Sequence, residues 1–337
     1  MARDWWPWLG AGIGLAAGLA AALRPQPSWN VAGQVAVITG GSRGLGLLLA
    51  REFGREGCQL AICARDEAEL DRARGDLEAR GMTVYAARCD VADRRDVERF
   101  VADVIRRFGG IDILVNNAGI IKVGPFTNMT VEDFEEAMRI NFWGMVYPTL
   151  AMLRVMQAQG GGRIVNITSI DGKVTVPHLL PYICAKFAAV AFSEGLHMEL
   201  AADGITVVTV VPGLMRTGSC LNATFTGDPA AESVWFSLGS TPEVILSAPA
   251  RLLVRLHGLF PSLTTALFRL ANQVVLPEPD GDSENTAPGH EAIARGGHSP
   301  VLEALTRLGR SAADRFGQHP GPRVPARGRP ASRQAVG

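Results

Sequence analysis

Apolar and polar positions along the chain alternate between two periods, and the alternation predicts a repeating strand and helix architecture. Val35, Ala36, Val37 and Ile38 form a short apolar run rich in β-branched residues, which reads as a strand buried on both faces of a parallel sheet. Leu45, Leu48, Leu49 and Phe53 follow at helical spacing. The same alternation recurs. Strands are predicted at 59–64, 83–87, 111–115, 163–167 and 206–211, and helices at 67–80, 94–108, 131–156 and 181–202. Six apolar strands separated by helices specify a doubly wound parallel α/β sheet of Rossmann type, with right-handed crossovers. Ligands of such sheets bind at the carboxyl ends of the strands.

After Gly213 the alternation stops. Residues 214–240 look loop-like, and 241–276 form an apolar stretch with Arg251, Arg255 and Arg269 set among leucines. That stretch reads either as a helical extension lying on a membrane surface or as extra core or a dimer contact. Residues 277–337 are expected to be largely disordered. They are loose and acidic at first and carry seven arginines from Arg307 onward, with many Pro and Gly after 319. At the other end, the nineteen residues from Trp5 to Leu23 carry no charge, with Trp5, Trp6 and Trp8 at one side and Arg24 at the other. This predicts a transmembrane anchor over 1–24, joined by a Pro-containing linker at 25–33 to a catalytic domain over 34–240. A cleaved signal peptide is the competing reading.

Composition narrows the class. The 337 residues are 47% hydrophobic with zero net charge, enough for a large core and without the basic excess that nucleic acid binding calls for. Cysteines at 58, 63, 89, 184 and 220 lack paired ligand spacing, and the six histidines are scattered, so no metal site is expected and the thiols read as reduced.

The chemistry concentrates at strand ends. Thr39, Gly40, Ser42, Arg43, Gly44, Leu45 and Gly46 lie between the first strand and its helix, where glycines let the main chain approach a pyrophosphate at the helix N-terminus. Tyr182 and Lys186 are four apart on a predicted helix and share one face. An ammonium beside a phenol favours the phenolate and is expected to lower its pKa. Ser169, at the end of the fifth predicted strand, lies thirteen residues before Tyr182, and Asn141 is a polar side chain on a long apolar helix.

In this order the motifs Thr39-Gly-Gly-Ser-Arg-Gly-Leu-Gly46, Asp90, Asn116-Asn-Ala-Gly119, Asn141, Ser169, Tyr182-Ile-Cys-Ala-Lys186 and Pro212-Gly213 resemble those of the short-chain dehydrogenase/reductase family, from about Val35 to Thr217. The resemblance implies hydride transfer between a nicotinamide cofactor and a carbon bearing oxygen. Tyr182 would donate or accept the proton, Ser169 would polarise the carbonyl, and Lys186 would bond the nicotinamide ribose. Asn141 would hold a water in a proton relay. Asp90 and Val91 would contact the adenine, Asn117 with Ala118 and Gly119 the adenosine side or the neighbouring strand, and Thr217, beyond Pro212 and Gly213, the carboxamide.

Charge argues the choice of cofactor. The second strand ends in neutral Ile62-Cys63-Ala64 and is followed by Arg65, with Arg43 in the glycine turn. Two guanidiniums suit a 2′-phosphate, hence NADP(H), while Asp66 is the residue that would instead favour the ribose diol of NAD. NADPH use points to reduction of a ketone or aldehyde, with the catalytic domain facing the cytoplasm. Leu214, Met215, Leu221, Phe225, Trp235 and Phe236 line an apolar pocket on this reading, or else pack as a cap. A lipophilic carbonyl or alcohol is the expected substrate, and a homo-oligomer the default assembly.

Overall fold

The computed structural model describes residues 30–213, 219–239 and 286–295, with isolated positions between 254 and 269. Residues 1–32 and 33–337 are two separate compact units, and of the first only 30–32 are described. The expected anchor over 1–24 and most of the apolar stretch over 241–276 therefore lie outside the described residues. Among those that are described, no helix is long and apolar enough to cross a membrane.

The second unit is built on strand β1 (Val35–Thr39), helix α1 (Gly44–Arg55), β2 (Gln59–Ala64), α2 (Glu67–Ala79), β3 (Val84–Arg88), α3 (Arg94–Phe108) and β4 (Ile113–Asn116). A short β5 (Lys122–Val123), α4 (Val131–Met138), α5 (Gly144–Gln159), β6 (Gly162–Ile167), α6 (Leu180–Glu199) and β7 (Ile205–Val210) continue it. Six strands form one parallel sheet in the order β3-β2-β1-β4-β6-β7. The order reverses between β1 and β4, so the crevice at their carboxyl ends is the topological switch point. All five residues of β1 are buried, as expected of a strand covered by helices on both faces. Val37, Leu114, Ile164 and Val207 from four neighbouring strands share a core with Phe100, Val104 and Met156 of the helices.

Two elements differ from the sequence reading. Strand β4 begins at Ile113, not 111, because the Asp112 carboxylate turns back to accept a hydrogen bond from Val35 N at 2.7 Å. The single helix predicted over 131–156 is interrupted by a π-type turn at Arg139–Trp143, where Asn141 points inward. Pro148, which has no N–H to give to Gly144 O, lies one turn beyond the interruption.

A second, smaller layer stands over the strand ends. Helix α7 (Ser219–Asn222), strand β8 (Thr224–Thr226), helix α8 (Pro229–Gly239), strand β9 (Thr286–Pro288) and helix α9 (Gly289–Arg295) build it, with sheet order β5-β8-β9. Within 214–240, expected as loop, α7, β8 and α8 are thus regular, and Thr286–Arg295 is a folded strand and helix inside the stretch expected to be disordered. Ala287 and Ala292 are completely buried against Phe225 and Phe236, and the cluster continues through Leu179 and Ile183. Leu179 precedes α6 and Ile183 lies on it next to Tyr182, so the cap and α6 share one small core.

Candidate active site

The turn after β1 is shaped by steric necessity. Gly40 has φ +64°, and a Cβ there would stand 2.9 Å from Ala118 Cα; at Gly46 it would stand 2.1 Å from Gly40 O. Such contacts leave the main chain bare where a pyrophosphate would lie against the N-terminus of α1. The loop after β4 is tied to this turn. Asn117 Nδ2 donates to Thr39 O at 3.0 Å and Gly40 O at 3.2 Å, and Thr39 Oγ1 accepts from Asn117 N and Ala118 N. Of the two roles implied for Asn117, its side chain takes the one toward the neighbouring strand.

A cavity of about 460 Å³ runs from this turn across the switch point. Gly40, Ser42, Arg43, Gly44, Leu45, Arg65, Asp90, Val91, Asn117, Ala118, Gly119, Asn141, Tyr182 and Lys186 all line it, which brings most of the sequence-derived site together. Pro212 and Gly213 are not in its lining; Pro212 O accepts from Ile170 N at 2.8 Å, on the turn after β6. Thr217, Leu214 and Met215 lie outside the described residues. The glycine cradle, the donor-rich helix start and the length of the cavity fit a dinucleotide.

At the adenosine end, the sequence reading omits Glu69. This buried carboxylate accepts from Ser42 Oγ at 3.0 Å and from Arg43 Nη1 at 2.9 Å. Placed in the first turn of α2, it looks in the sequence like an ordinary helix-start acid. Arg43 is thereby paired, whereas Arg65 is exposed and makes no ion pair among the described residues. Asp66 caps α2, its Oδ1 accepting from Glu69 N at 2.8 Å. Asp90 accepts from Ala92 N at 3.0 Å and lies 3.5 Å from the Arg139 guanidinium.

At the other end Tyr182 and Lys186 line the cavity, Ser169 stands outside its lining next to Thr168, and all three are buried. Lys186 Nζ lies 5.5 Å from the Tyr182 ring centroid and donates to Ile167 O at 3.2 Å. Burial brings its amine down to about 8. The Tyr182 phenol is pushed well above its ordinary value of 10, first by burial and then by the negative charge of Asp171, with the Ser169 hydroxyl pulling the other way. This corrects the expectation of a lowered phenol: desolvation of the phenolate and the charge of Asp171 outweigh the Ser169 hydrogen bond. Asp171, also absent from the sequence reading, is hydrogen-bonded to Ser169.

Asn141 is fully engaged with the backbone. Its Oδ1 accepts from Ile120 N, and its Nδ2 donates to Ile120 O and Ala137 O, each at 3.1 Å. It works as a strut between the π-type turn and the loop after β4. Ile120, Ile121 and Ile140, with Asn222 and Ala223 from the cap, complete the lining near Tyr182.

The family described as short chain dehydrogenase matches residues 34–224. The chain belongs to the short-chain dehydrogenase/reductase family. A putative ketoacyl reductase from Streptomyces coelicolor is 38% identical over 186 residues, covering 55% of this chain and 71% of that protein. Dehydrogenase/reductase SDR family member 7B from Danio rerio is 35% identical over 236 residues, covering 65% and 75%. Among solved structures, a gluconate 5-dehydrogenase from Burkholderia cenocepacia in complex with NADP and tartrate is 33% identical with a TM-score of 0.54, over 56% of this chain and 74% of that one. This short-chain dehydrogenase/reductase is accordingly an oxidoreductase.

Proposed function

We propose that this short-chain dehydrogenase/reductase uses NADP(H) to reduce a lipophilic ketone or aldehyde. The observation that carries the cofactor choice is the end of β2. The strand stops at neutral Ala64, Arg65 is exposed at the cavity, and Asp66 is turned into the cap of α2. A guanidinium there meets a 2′-phosphate with its planar donor fork. Because Glu69 already holds Arg43, Arg65 bears most of that recognition. NAD use is the second reading, and Glu69 is what favours it, as a carboxylate at the adenosine end of the cavity.

Bound NADPH supplies the hydride. Tyr182, held protonated, supplies the proton to the oxygen of the substrate. Lys186 stands over the Tyr182 ring, where it would bond the nicotinamide ribose, and Asn141 holds the loop after β4 beside them. The lining that includes Tyr182 also holds Ile120, Ile121, Ile140, Ile167 and Ala223, together with the polar Asn141, Thr168, Lys186 and Asn222. The apolar part of this lining favours a lipophilic carbonyl compound. The uncharged stretch from Trp5 to Leu23 supports an anchored protein whose catalytic domain faces the cytoplasm, and a homo-oligomer is the assembly we propose.

The test is a panel of lipophilic ketones and aldehydes with NADPH or NADH consumption as readout, run on the wild type and on Arg65→Ala. Expected is turnover with NADPH, and at least a tenfold rise of its KM in the variant with the NADH value unchanged. An Arg65→Ala enzyme with an unaltered KM for NADPH would refute the cofactor assignment.

A further inference from the structure

Between Gly40 and Gly46 the turn after β1 carries two polar side chains, Ser42 and Arg43, and one carboxylate engages both. Ser42 Oγ donates to Glu69 Oε2 at 3.0 Å, and Arg43 Nη1 donates to Glu69 Oε1 at 2.9 Å. A hydroxyl has one proton to give, so that of the serine is committed to this bond. The ion pair is shielded on its acidic side, with the Glu69 side chain 7% exposed and that of Arg43 37%. Glu69 is itself fixed in the first turn of α2, where its N–H donates to the Asp66 cap at 2.8 Å. Ser42, Arg43, Asp66 and Glu69 all line the cavity, and so does Arg65. The carboxylate thus clips the turn after β1 to the helix after β2, at the end of the cavity where an adenosine would lie.

We propose that Glu69 is a specificity-determining residue, which withholds Arg43 from a 2′-phosphate and so restrains the preference for NADP(H) over NAD(H). The inference rests on the dinucleotide-binding reading and deepens it. An incoming phosphate meets Arg65 as a full positive charge, but it meets Arg43 as one half of a neutral pair. To recruit this second guanidinium it must compete with a carboxylate that is held in place and largely removed from water. The ribose diol of NAD carries no charge at that position and calls on neither guanidinium. Arg43 and Arg65 therefore have unequal parts despite equal charge: one recognises the phosphate, and Glu69 keeps the other in reserve. Glu69 acts through Arg43 and is a positioning residue in this sense.

Calorimetric titration of the full chain with NADP+ and with NAD+, which differ only in the 2′-phosphate, reads the effect without turnover. Glu69→Gln keeps an oxygen to accept from Ser42 and removes the charge. It is expected to raise the ratio of the Kd for NAD+ to the Kd for NADP+ by about fivefold or more, and Arg43→Ala on that background to remove the gain. In the otherwise native chain Arg43→Ala is expected to change the ratio by less than about threefold. A ratio that Glu69→Gln leaves unchanged would make the carboxylate a structural brace, and a lowered one would make it an aid to phosphate binding; either overturns the proposal, as does a gain that survives Arg43→Ala. Should Glu69→Gln fail to fold, Arg43→Ala decides alone, because a fall in the ratio of more than about threefold would show that Arg43 already serves the phosphate. The cofactor assignment stands or falls separately: a wild type that prefers NAD+ would overturn that assignment, and the shift produced by Glu69→Gln would still decide the part played by Glu69.

Discussion

Lys186 is the residue at which the requirements of the site and of the fold conflict most. Only 5% of it is exposed, its amine donates to Ile167 O, and burial lowers it from an ordinary 10.5 to about 8. In the unfolded chain the amine keeps the ordinary value. Below pH 8 the folded protein therefore carries the full cost of the buried cation; the cost declines as pH rises toward 10.5 and is gone above it. At 1.36 kcal/mol per pH unit, the gap between 10.5 and about 8 amounts to about 3 kcal/mol. Lys186→Met keeps an unbranched side chain one atom shorter and removes the charge at every pH. Whatever constant offset the lost hydrogen bond adds, the unfolding free energy of the variant relative to the wild type is expected to fall by about 3 kcal/mol between pH 7 and pH 10.5. Urea unfolding at half-unit steps of pH, with matching m-values, measures this directly. A difference that stays flat within about 0.5 kcal/mol would refute the claim that burial, and not a local hydrogen bond, dominates the amine.

Three further outcomes follow from the geometry. Gly46→Ala places a Cβ 2.1 Å from Gly40 O and is expected to abolish dinucleotide binding, read by quenching of protein fluorescence on titration with NADPH. Asn141→Ala strands the partners of three backbone hydrogen bonds and is expected to cost about 3 kcal/mol in chemical unfolding, with weaker cofactor binding. Ala292→Asp sets a carboxylate in the wholly buried core of the cap and is expected to lower kcat/KM at least tenfold while far-UV circular dichroism of the main sheet persists; unchanged kinetics would detach the segment 286–295 from the site.

Much of this was legible in the chain because the relevant signals are local. The apolar runs of the parallel strands are continuous, and a glycine turn between strand and helix has few alternatives, so the central sheet and the cradle follow from short windows such as 34–46. Tyr182 and Lys186 are legible for the same reason, since helical spacing alone puts them on one face. The departures come from tertiary contacts. Strand β4 starts late where the Asp112 carboxylate reaches Val35 N across the sheet, and Asn141 breaks a helix because its amide has backbone partners in another loop. The cap is assembled from pieces as short as three residues, with β8 and β9 sixty positions apart in register, below what periodicity can detect. Glu69 and Asp171 each resemble an ordinary turn or helix-start acid until the fold brings Arg43, Ser169 and Tyr182 against them.

The most direct test of the account is a single-turnover measurement of NADPH oxidation by the wild type and by Tyr182→Phe, with the best ketone of the panel. The account expects the variant to bind NADPH within about threefold of the wild type and to transfer hydride about a thousandfold more slowly. A Tyr182→Phe enzyme that reduces the ketone at the rate of the wild type would contradict it.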